Sequence, residues 1–177
     1  MPTARRPAHA PDDLDVLRDF ANATDLPAED AERVAAFRHA VRGLLAANAE
    51  LADPGPALRE FNALLDWLGA AARLLSLRRT GITTAGGGAR PALARLAGIV
   101  LDAVHAGTFA RLKLCANPSC GRAFYDHGRN AAGRWCDMAT CGNRAKVAGY
   151  RSRLRTPADQ PHSIDEALTD LATRPPR

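Results

Sequence analysis

The chain has 177 residues, with 24 lysine and arginine and 19 aspartate and glutamate side chains, so its formal net charge is +5. That length predicts one domain, or one domain with a small additional module. No run of 18 apolar residues occurs, which argues against a membrane span. Residues 1–11 carry charge but no apolar segment, so we expect no secretory signal and a cytoplasmic protein.

The first part of the chain is predicted to consist of helices separated by breaks. We expect residues 1–11, which contain three prolines, to be disordered. The apolar residues between Leu14 and Phe20 fit either a short helix or a strand. From Ala28, apolar residues recur at helical spacing until a strong helix stop at residues 53–56. Their positions are Val34, Phe37, Val41, Leu44 and Leu45.

A second apolar stripe, which predicts another helix, ends near Gly69. It consists of Leu58, Phe61, Leu64, Leu65 and Leu68. Residues 73–85 contain β-branched side chains after a glycine and favour a β-hairpin. Pro91 begins a third predicted helix that ends near Gly107. Its apolar positions are Leu93, Leu96, Val100 and Val104.

All four cysteines lie in one short stretch, with four residues inside each pair and fifteen between the pairs. They are Cys115, Cys120, Cys136 and Cys141. Two close pairs at this separation are typical of a tetrahedral zinc site in an intracellular protein, because each pair places two thiolates on one side of the metal. The alternatives are two disulfides, which need an oxidising compartment, or four free thiols.

We expect one structural Zn²⁺ and no enzymatic activity. Four thiolates complete the tetrahedron, whereas a catalytic zinc keeps one position open. His127 offers a replacement ligand, but four cysteines suffice. The sequence lacks the H-x-E and P-C-x-x-C motifs of zinc deaminases and the G-x-S-x-G motif of serine hydrolases.

The cysteine module, residues 111–155, has a predicted order of elements. The first cysteine pair forms a knuckle, and residues 122–125 and 133–135 form two short strands on either side of a polar turn. The last cysteine opens a helix that continues to the end of the module. Knuckle, hairpin and ligand-bearing helix define a treble-clef-like arrangement. In the tail, residues 156–177, a short helix from Ile164 to Leu171 is predicted.

The positive charge is concentrated in this module. Ten basic and two acidic side chains give it a net charge of +8, whereas the rest of the chain carries −3. Zinc with four thiolates lowers the module's charge to about +6, which is still typical of a protein that binds a polyanion. The basic side chains that we expect to contact nucleic acid are Arg129, Arg134, Arg144, Lys146, Arg151, Arg153 and Arg155.

The predicted final helix has an apolar stripe between two basic flanks, since successive residues are about 100° apart around a helix. Val147, Tyr150 and Leu154 form the stripe, and we expect them to pack against the module. Flanking side chains of this kind can reach phosphates and guanine edges in a major groove. The flanks consist of Arg144, Arg151 and Arg155 on one side and Lys146 and Arg153 on the other. A solvated charged face is the alternative.

The cysteine module resembles the bacterial CGNR zinc-finger family, whose name is spelled by residues 141–144. The residues that carry the resemblance are Cys115, Cys120, Phe124, Asp126, Arg129, Asn130, Arg134, Trp135, Cys136, Met138, Cys141, Gly142, Asn143, Arg144, Lys146, Tyr150, Arg151 and Arg153. The sequence departs from the family pattern at His127-Gly128, where small hydroxyl residues are usual, and at Gly133, where a second arginine is usual. We therefore expect fewer contacts between this loop and a phosphate.

The resemblance also implies an N-terminal α+β region, the ABATE domain, and a role as a stress-induced transcription regulator. Residues 12–110 look like that domain in length and placement, and residues 20–26 look like its opening. Altogether we expect an α+β, predominantly helical protein: a helical N-terminal domain with a small β-hairpin, followed by the zinc module.

The leading functional hypothesis is a nucleoid-associated transcription regulator that binds double-stranded DNA. A small molecule or protein would act on the N-terminal domain, and no membrane is involved. The alternatives are a zinc-stabilised module that docks an acidic protein, or a redox sensor that releases zinc when its thiolates are oxidised. The sequence leaves the oligomeric state open.

Overall fold

The computed structural model describes residues 12–25, 30–76 and 79–155, with residues 72–81 and 152–155 described by their backbone at most. Two expectations therefore lie outside the described residues: the disordered segment 1–11 and the short helix from Ile164 to Leu171.

Four helices form most of the fold before the cysteine module. Their bounds are Asp12–Asn22 for α1, Ala31–Asn48 for α2, Pro54–Leu68 for α3 and Arg90–His105 for α4. The segment around Leu14, whose type the sequence left open, is therefore helical. None of the helices described is long and apolar enough to cross a bilayer.

The break between α2 and α3 follows from the residues at 53–56. The Asp53 carboxylate accepts a hydrogen bond from the Gly55 backbone N–H at 3.1 Å and so caps α3. Pro54 stands at the first helical position, where the missing N–H costs nothing. At the other end, Gly69 adopts a left-handed conformation with φ 57°, which terminates the helix as predicted.

The predicted hairpin is present between α3 and α4. Strand β1, Ala71–Ser76, pairs antiparallel with β2, Arg79–Thr83, with Ala71 opposite Thr83. A Cβ atom added to Gly98 of α4 would lie 3.6 Å from the Ile82 side chain, so the hairpin packs closely on α4.

Phe37 of α2 lies at the centre of the helical core. It is fully buried, with the ring of Phe20 6.0 Å away and the ring of Phe61 5.6 Å away. Such aromatic pairs contribute about 0.5–1.5 kcal/mol beyond the area that they bury. All five apolar positions predicted for α2 are buried.

Two other predicted core positions are wrong. Leu58 of α3 is 47% exposed and Val104 of α4 is 55% exposed. Their neighbours Ala57 and Ala103 are buried instead. Alanine contributes little to a hydrophobic pattern. The pattern therefore predicts the larger neighbouring side chain, one residue away, as the core residue.

A short 3₁₀ turn, Phe109–Arg111, leads into the cysteine module, which contains two short strands, a π-helical turn and a helix. These are β3, Leu112–Leu114; β4, Ala123–Tyr125; the π-helical turn, Met138–Gly142; and α5, Asn143–Arg155. The predicted pairing of residues 122–125 with residues 133–135 is wrong. Strand β4 pairs with β3, so the knuckle lies inside the hairpin, and residues 133–135 form no strand.

The module shares one hydrophobic core with the helices. Leu112 of β3 and Ala123 of β4 are buried in the same cluster as Phe37. The Asn48 side chain of α2 donates to the carbonyls of Phe109 and Leu112, at 2.9 Å each. The β3–β4 hairpin is therefore anchored on the helical core rather than held by the cysteines alone.

Candidate metal centre

The four cysteine sulfurs converge on one point. Their Sγ atoms all lie within 4.8 Å of one another, and all four cysteines are free. The distance from Cys120 to Cys136 is 3.7 Å and that from Cys136 to Cys141 is 3.8 Å. A zinc ion about 2.3 Å from each sulfur requires tetrahedral edges of about 3.8 Å, whereas a disulfide requires about 2.05 Å. The geometry thus fits a tetrahedral thiolate site and not a pair of disulfides.

Local backbone structure places the first cysteine pair. Cys115 follows β3, and its N–H donates to the Arg122 carbonyl at 2.9 Å. The N–H of Cys120 donates to the Asn117 carbonyl, which closes a tight turn. Gly121 then adopts a left-handed conformation with φ 58°, so the chain can reverse into β4.

The second pair is held by the turn that precedes α5. The Asp137 carboxylate accepts hydrogen bonds from the backbone N–H of Thr140 at 2.7 Å and from its hydroxyl at 2.9 Å. This cap fixes the π-helical turn in which Cys141 is buried. It also keeps the pKa of Asp137 below its usual value of 3.8.

The hydrogen bonding of the Asn117 side chain indicates whether the site suits a metal. Its side chain is 7% exposed, and its Oδ1 accepts from the backbone N–H and hydroxyl of Ser119 at 3.1 and 2.9 Å. Those two bonds fix the amide, and the described residues supply no partner at full hydrogen-bond geometry for the buried donor Nδ2. A metal-bound thiolate would satisfy this donor, because thiolate ligands accept N–H hydrogen bonds from the surrounding shell.

The thiols influence one another strongly. Burial and then hydrogen bonds with the other cysteines raise the pKa of Cys136 to about 12. The Asn117 side chain is the main cause that lowers the pKa of Cys141 to about 7. Four thiolates this close repel one another, so a divalent cation is needed to hold them together. Zn²⁺ would fill this role as a structural ion, since four sulfurs leave no coordination position open.

A buried ion pair stabilises the loop that leads to the second cysteine pair. The Asp126 carboxylate is 5% exposed and accepts from Lys113 Nζ at 3.1 Å and from the N–H groups of Gly128 and Gly133 at 2.8 and 2.6 Å. Burial raises the pKa of Asp126, but these hydrogen bonds outweigh it and hold the pKa below 3.8. The role of Asp126 is therefore to brace the loop.

The same contacts explain why glycine suits two positions of this loop. A Cβ atom at Gly128 or Gly133 would approach the Asp126 carboxylate to 2.8 Å. Glycine at these positions leaves room for the carboxylate to receive both backbone N–H groups.

Two of the basic residues in the module form hydrogen bonds within the module itself. Lys113 is buried and also donates to the carbonyls of Ala131 and Gly133. Arg111 donates to the carbonyls of Asp126 and Gly128 at 3.0 and 2.7 Å. Their charges therefore belong to the brace of the loop rather than to an open surface.

The basic residues expected to contact nucleic acid lie on the surface wherever their side chains are described. Exposed side chains are Arg129, Arg134, Arg144, Lys146 and Arg151. Arg134 also lies over the half-buried ring of Trp135, with its guanidinium 5.6 Å from the ring centre. Arg153 and Arg155 belong to α5, but their side chains are outside the described part.

The predicted packing of the α5 stripe is wrong for Val147 and Tyr150, and the side chain of Leu154 lies outside the described part. Val147 is 49% exposed and Tyr150 is 59% exposed. The main contact of α5 within the described residues is with the π-helical turn that precedes it. Val147 and Tyr150 therefore lie on the surface of the described part of the protein.

Gly142 shows why a glycine follows the last cysteine. A Cβ atom there would approach Met138 Sδ to 2.7 Å and Trp135 Cδ1 to 3.2 Å. Trp135 and Met138 thus pack against the backbone beside Cys141. Asn143 next donates to the Ala139 carbonyl at 2.9 Å and secures the transition into α5.

Several residues that position the site were missed from the sequence. Asn117 lies before a proline in the knuckle, and an Asx turn there was a readable signal. Asn22, Arg42 and Asn48 join the knuckle hairpin to the helices over long sequence separations, and no local pattern reveals such contacts.

The fold of residues 111–155 and the sulfur cluster define a four-cysteine zinc finger. Residues 111–154 match the family model of the CGNR zinc finger. This match confirms the predicted module type, and a single structural Zn²⁺ fits the cluster of four cysteines. No curated protein matches the chain.

Proposed function

We propose that the protein is a DNA-binding transcription regulator in which zinc holds α5 in a position to contact the duplex. The observation that carries this proposal is the exposure of α5. The helix has five basic residues and no acidic one, and Arg144, Lys146 and Arg151 are exposed. Within the described ranges, none of these three forms an ion pair.

The shape of this surface suits a nucleic acid. A shallow groove beside α5 is lined by Thr140 and Asn143 at one end and by Arg144, Val147 and Arg151 along the helix. Guanidinium groups bind phosphates with paired N–H donors, and an α-helix fits the major groove of B-DNA. Exposed Arg129 and Arg134 of the preceding loop would add phosphate contacts.

The role of the N-terminal helices in this proposal is to receive a signal. Residues 12–110 look like the ABATE domain, and their core is continuous with β3 and β4. A ligand or partner that changed the packing of α1 or α2 would therefore act on the hairpin that carries Cys115 and Cys120. This continuity supports a regulated protein rather than two independent domains.

A direct test is the binding of zinc-loaded protein to a pool of random duplex DNA, followed by selection of the bound sequences. We expect measurable binding at about 50 mM salt, which weakens steeply as salt rises because bound phosphates release counterions. Arg95→Gln is a matched control, since Arg95 is an exposed residue of α4 outside the module. Absence of binding to any duplex at that salt concentration would contradict the proposal.

The exposed stripe of α5 favours a second candidate, a module that docks an acidic protein. Val147 and Tyr150 offer apolar surface that phosphate contacts do not need. Affinity capture with and without nuclease separates the two functions. Partners that disappear after nuclease treatment indicate nucleic acid, and acidic proteins that persist indicate docking.

A further inference from the structure

The apolar stripe of α5 has no cover within the described residues. Val147 and Tyr150 lie one turn apart on the same face of the helix and are half exposed or more. Leu154 is the next position on this face by helical register. A continuous apolar strip of this kind usually marks a place where another segment packs.

The charges beside the stripe restrict what can cover it. The α5 sequence contributes five basic side chains and no acid, and they fall on both flanks. A second copy packed through the same face would bring like charges together, which is unfavourable in an interface. The occupant must therefore be apolar along its centre and acidic at its edges.

A segment of the same chain has this composition. Residues 156–173 contain four acidic side chains and neither lysine nor arginine. They are Asp159, Asp165, Glu166 and Asp170. Ile164, Leu168 and Leu171 follow one another at the spacing of one helical face, and the acidic residues after Ser163 lie outside that face.

The connection has the length that a return over α5 needs. Seven residues, 156–162, separate the end of α5 from Ser163, and two of them are proline. Helix–helix connections commonly have about 2–8 residues. Nine helical residues, 163–171, would span about 13 Å, which matches the nine residues 147–155 of α5.

We propose that residues 163–171 fold back antiparallel on α5 and cover the stripe of Val147, Tyr150 and Leu154. Ile164, Leu168 and Leu171 would pack on the stripe, and Asp165 and Asp170, which lie to either side of that face, would pair with the basic flanks. The tail then occupies the surface that binds DNA. This competition, although not the docking itself, rests on the proposed function.

The experiment uses the full zinc-loaded chain. Leu168→Asp places a charge on the docking face of the tail, and Thr173→Ser is a matched control outside residues 163–171. Backbone hydrogen exchange of residues 147–154 reports docking directly, and fluorescence anisotropy with duplex DNA reports competition. If nine of ten chains are docked, Leu168→Asp raises both the exchange rate and the DNA affinity by about tenfold.

A reciprocal pair of variants tests the other side of the contact. Val147→Ser removes apolar surface from the stripe, whereas Ala148→Ser changes an exposed residue beside it. We expect faster exchange in residues 163–171 for the first variant and no change for the second. Each variant is checked for zinc content and far-ultraviolet circular dichroism.

The outcomes separate the two proposals. If backbone exchange of α5 is faster in Leu168→Asp but neither wild type nor the variant binds DNA, the docking is supported and the proposed function is contradicted. Unchanged exchange of α5, with wild-type DNA binding, overturns the docking. A change of exchange accompanied by dissociation of a dimer would also overturn it, because a second copy would then be the occupant.

Discussion

Asn22 and Ala123 are 101 residues apart in sequence and form a reciprocal pair of hydrogen bonds. The Ala123 N–H donates to Asn22 Oδ1 at 2.8 Å, and Asn22 Nδ2 donates to the Ala123 carbonyl at 3.0 Å. Beside them, Arg42 donates to the carbonyls of Ala21 and Gly121 at 2.9 and 2.8 Å. The end of α1 is thereby fastened to the strand that follows the zinc knuckle.

This link predicts that Asn22→Ala destabilises the zinc module and the helices together. The substitution leaves the N–H and carbonyl of Ala123 without their partner, which costs about 1–3 kcal/mol. Thermal unfolding followed by circular dichroism should show a lower midpoint. Zinc release, followed with a chromogenic chelator, should shift to the same lower temperature.

Asn62→Ala is the matched control, because Asn62 is an exposed residue of α3 and alanine favours a helix. Its unfolding midpoint should stay the same or rise slightly. Two separate transitions in the wild-type protein, one for helices and one for zinc release, would contradict the coupling.

Gly133→Ala tests the loop that Asp126 braces. The added Cβ would lie 2.8 Å from the buried carboxylate, so the loop must move, at a cost of about 1–3 kcal/mol. Gly149→Ala is the opposite case. Gly149 lies inside α5, where no described atom apart from the helix's own backbone and the adjacent residues comes within 4 Å of the added Cβ. The substitution should stabilise the helix by up to about 1 kcal/mol. Equal unfolding midpoints for the two variants would refute the close packing around Asp126.

The elements that could be predicted are those whose sequence signals come from residues close together in the chain. The five apolar positions of α2, the stop at residues 53–56 and the turn at Gly69 were readable because each depends on neighbours within a turn or two. The cysteine spacing was equally local, and the sulfur cluster confirms it.

Contacts between distant segments could not be read in the same way. Strand β4 contains the predicted residues Ala123–Tyr125, but only the folded chain shows that β3 is its partner. Likewise, the apolar spacing of Val147 and Tyr150 predicts a buried face, but it does not show whether another element lies opposite that face. Ala57 is buried and Leu58 is exposed, but the sequence pattern favours the leucine as the core residue because leucine is more hydrophobic than alanine.

The ion pair of Asp126 and Lys113 predicts a pH dependence of stability. Because the folded pKa of Asp126 is lowered, the ionised carboxylate stabilises the native state at neutral pH. The carboxyl of the unfolded chain becomes protonated as pH falls below about 4. The contribution of Asp126 therefore decreases from about pH 4 and is lost as pH falls through the lowered folded pKa. Asp126→Asn should be less stable than wild type at pH 7, and the difference should shrink as pH falls from about 4 to 3.

Urea unfolding of both proteins at each pH measures this difference, since protonation of the thiolates affects both alike. Asp102→Asn, an exposed substitution in α4, should differ little from wild type at any pH. A gap between wild type and Asp126→Asn that stays constant from pH 7 to pH 3 would disprove the assignment.

Asn117→Ala should weaken metal binding without removing a ligand. The variant loses the buried amide that faces Cys141, and loss of such outer-shell donors commonly costs about 10–100-fold in metal affinity. Competition with a chelator of known zinc affinity measures the effect. Asn130→Ala, an exposed substitution in the loop, should bind zinc like wild type. Equal affinities for the two variants would show that Asn117 only shapes the knuckle.

The central claim is that exposed arginines of α5 neutralise DNA phosphates. It is tested most directly by the salt dependence of binding for wild type and for the double variant Arg144→Gln/Arg151→Gln. If each arginine neutralises one phosphate, the slope of log affinity against log salt should become shallower by about 1.8. Arg95→Gln should leave the slope unchanged. An unchanged slope for the double variant, with its zinc and helix content intact, would contradict the assignment of α5 as the DNA-binding element.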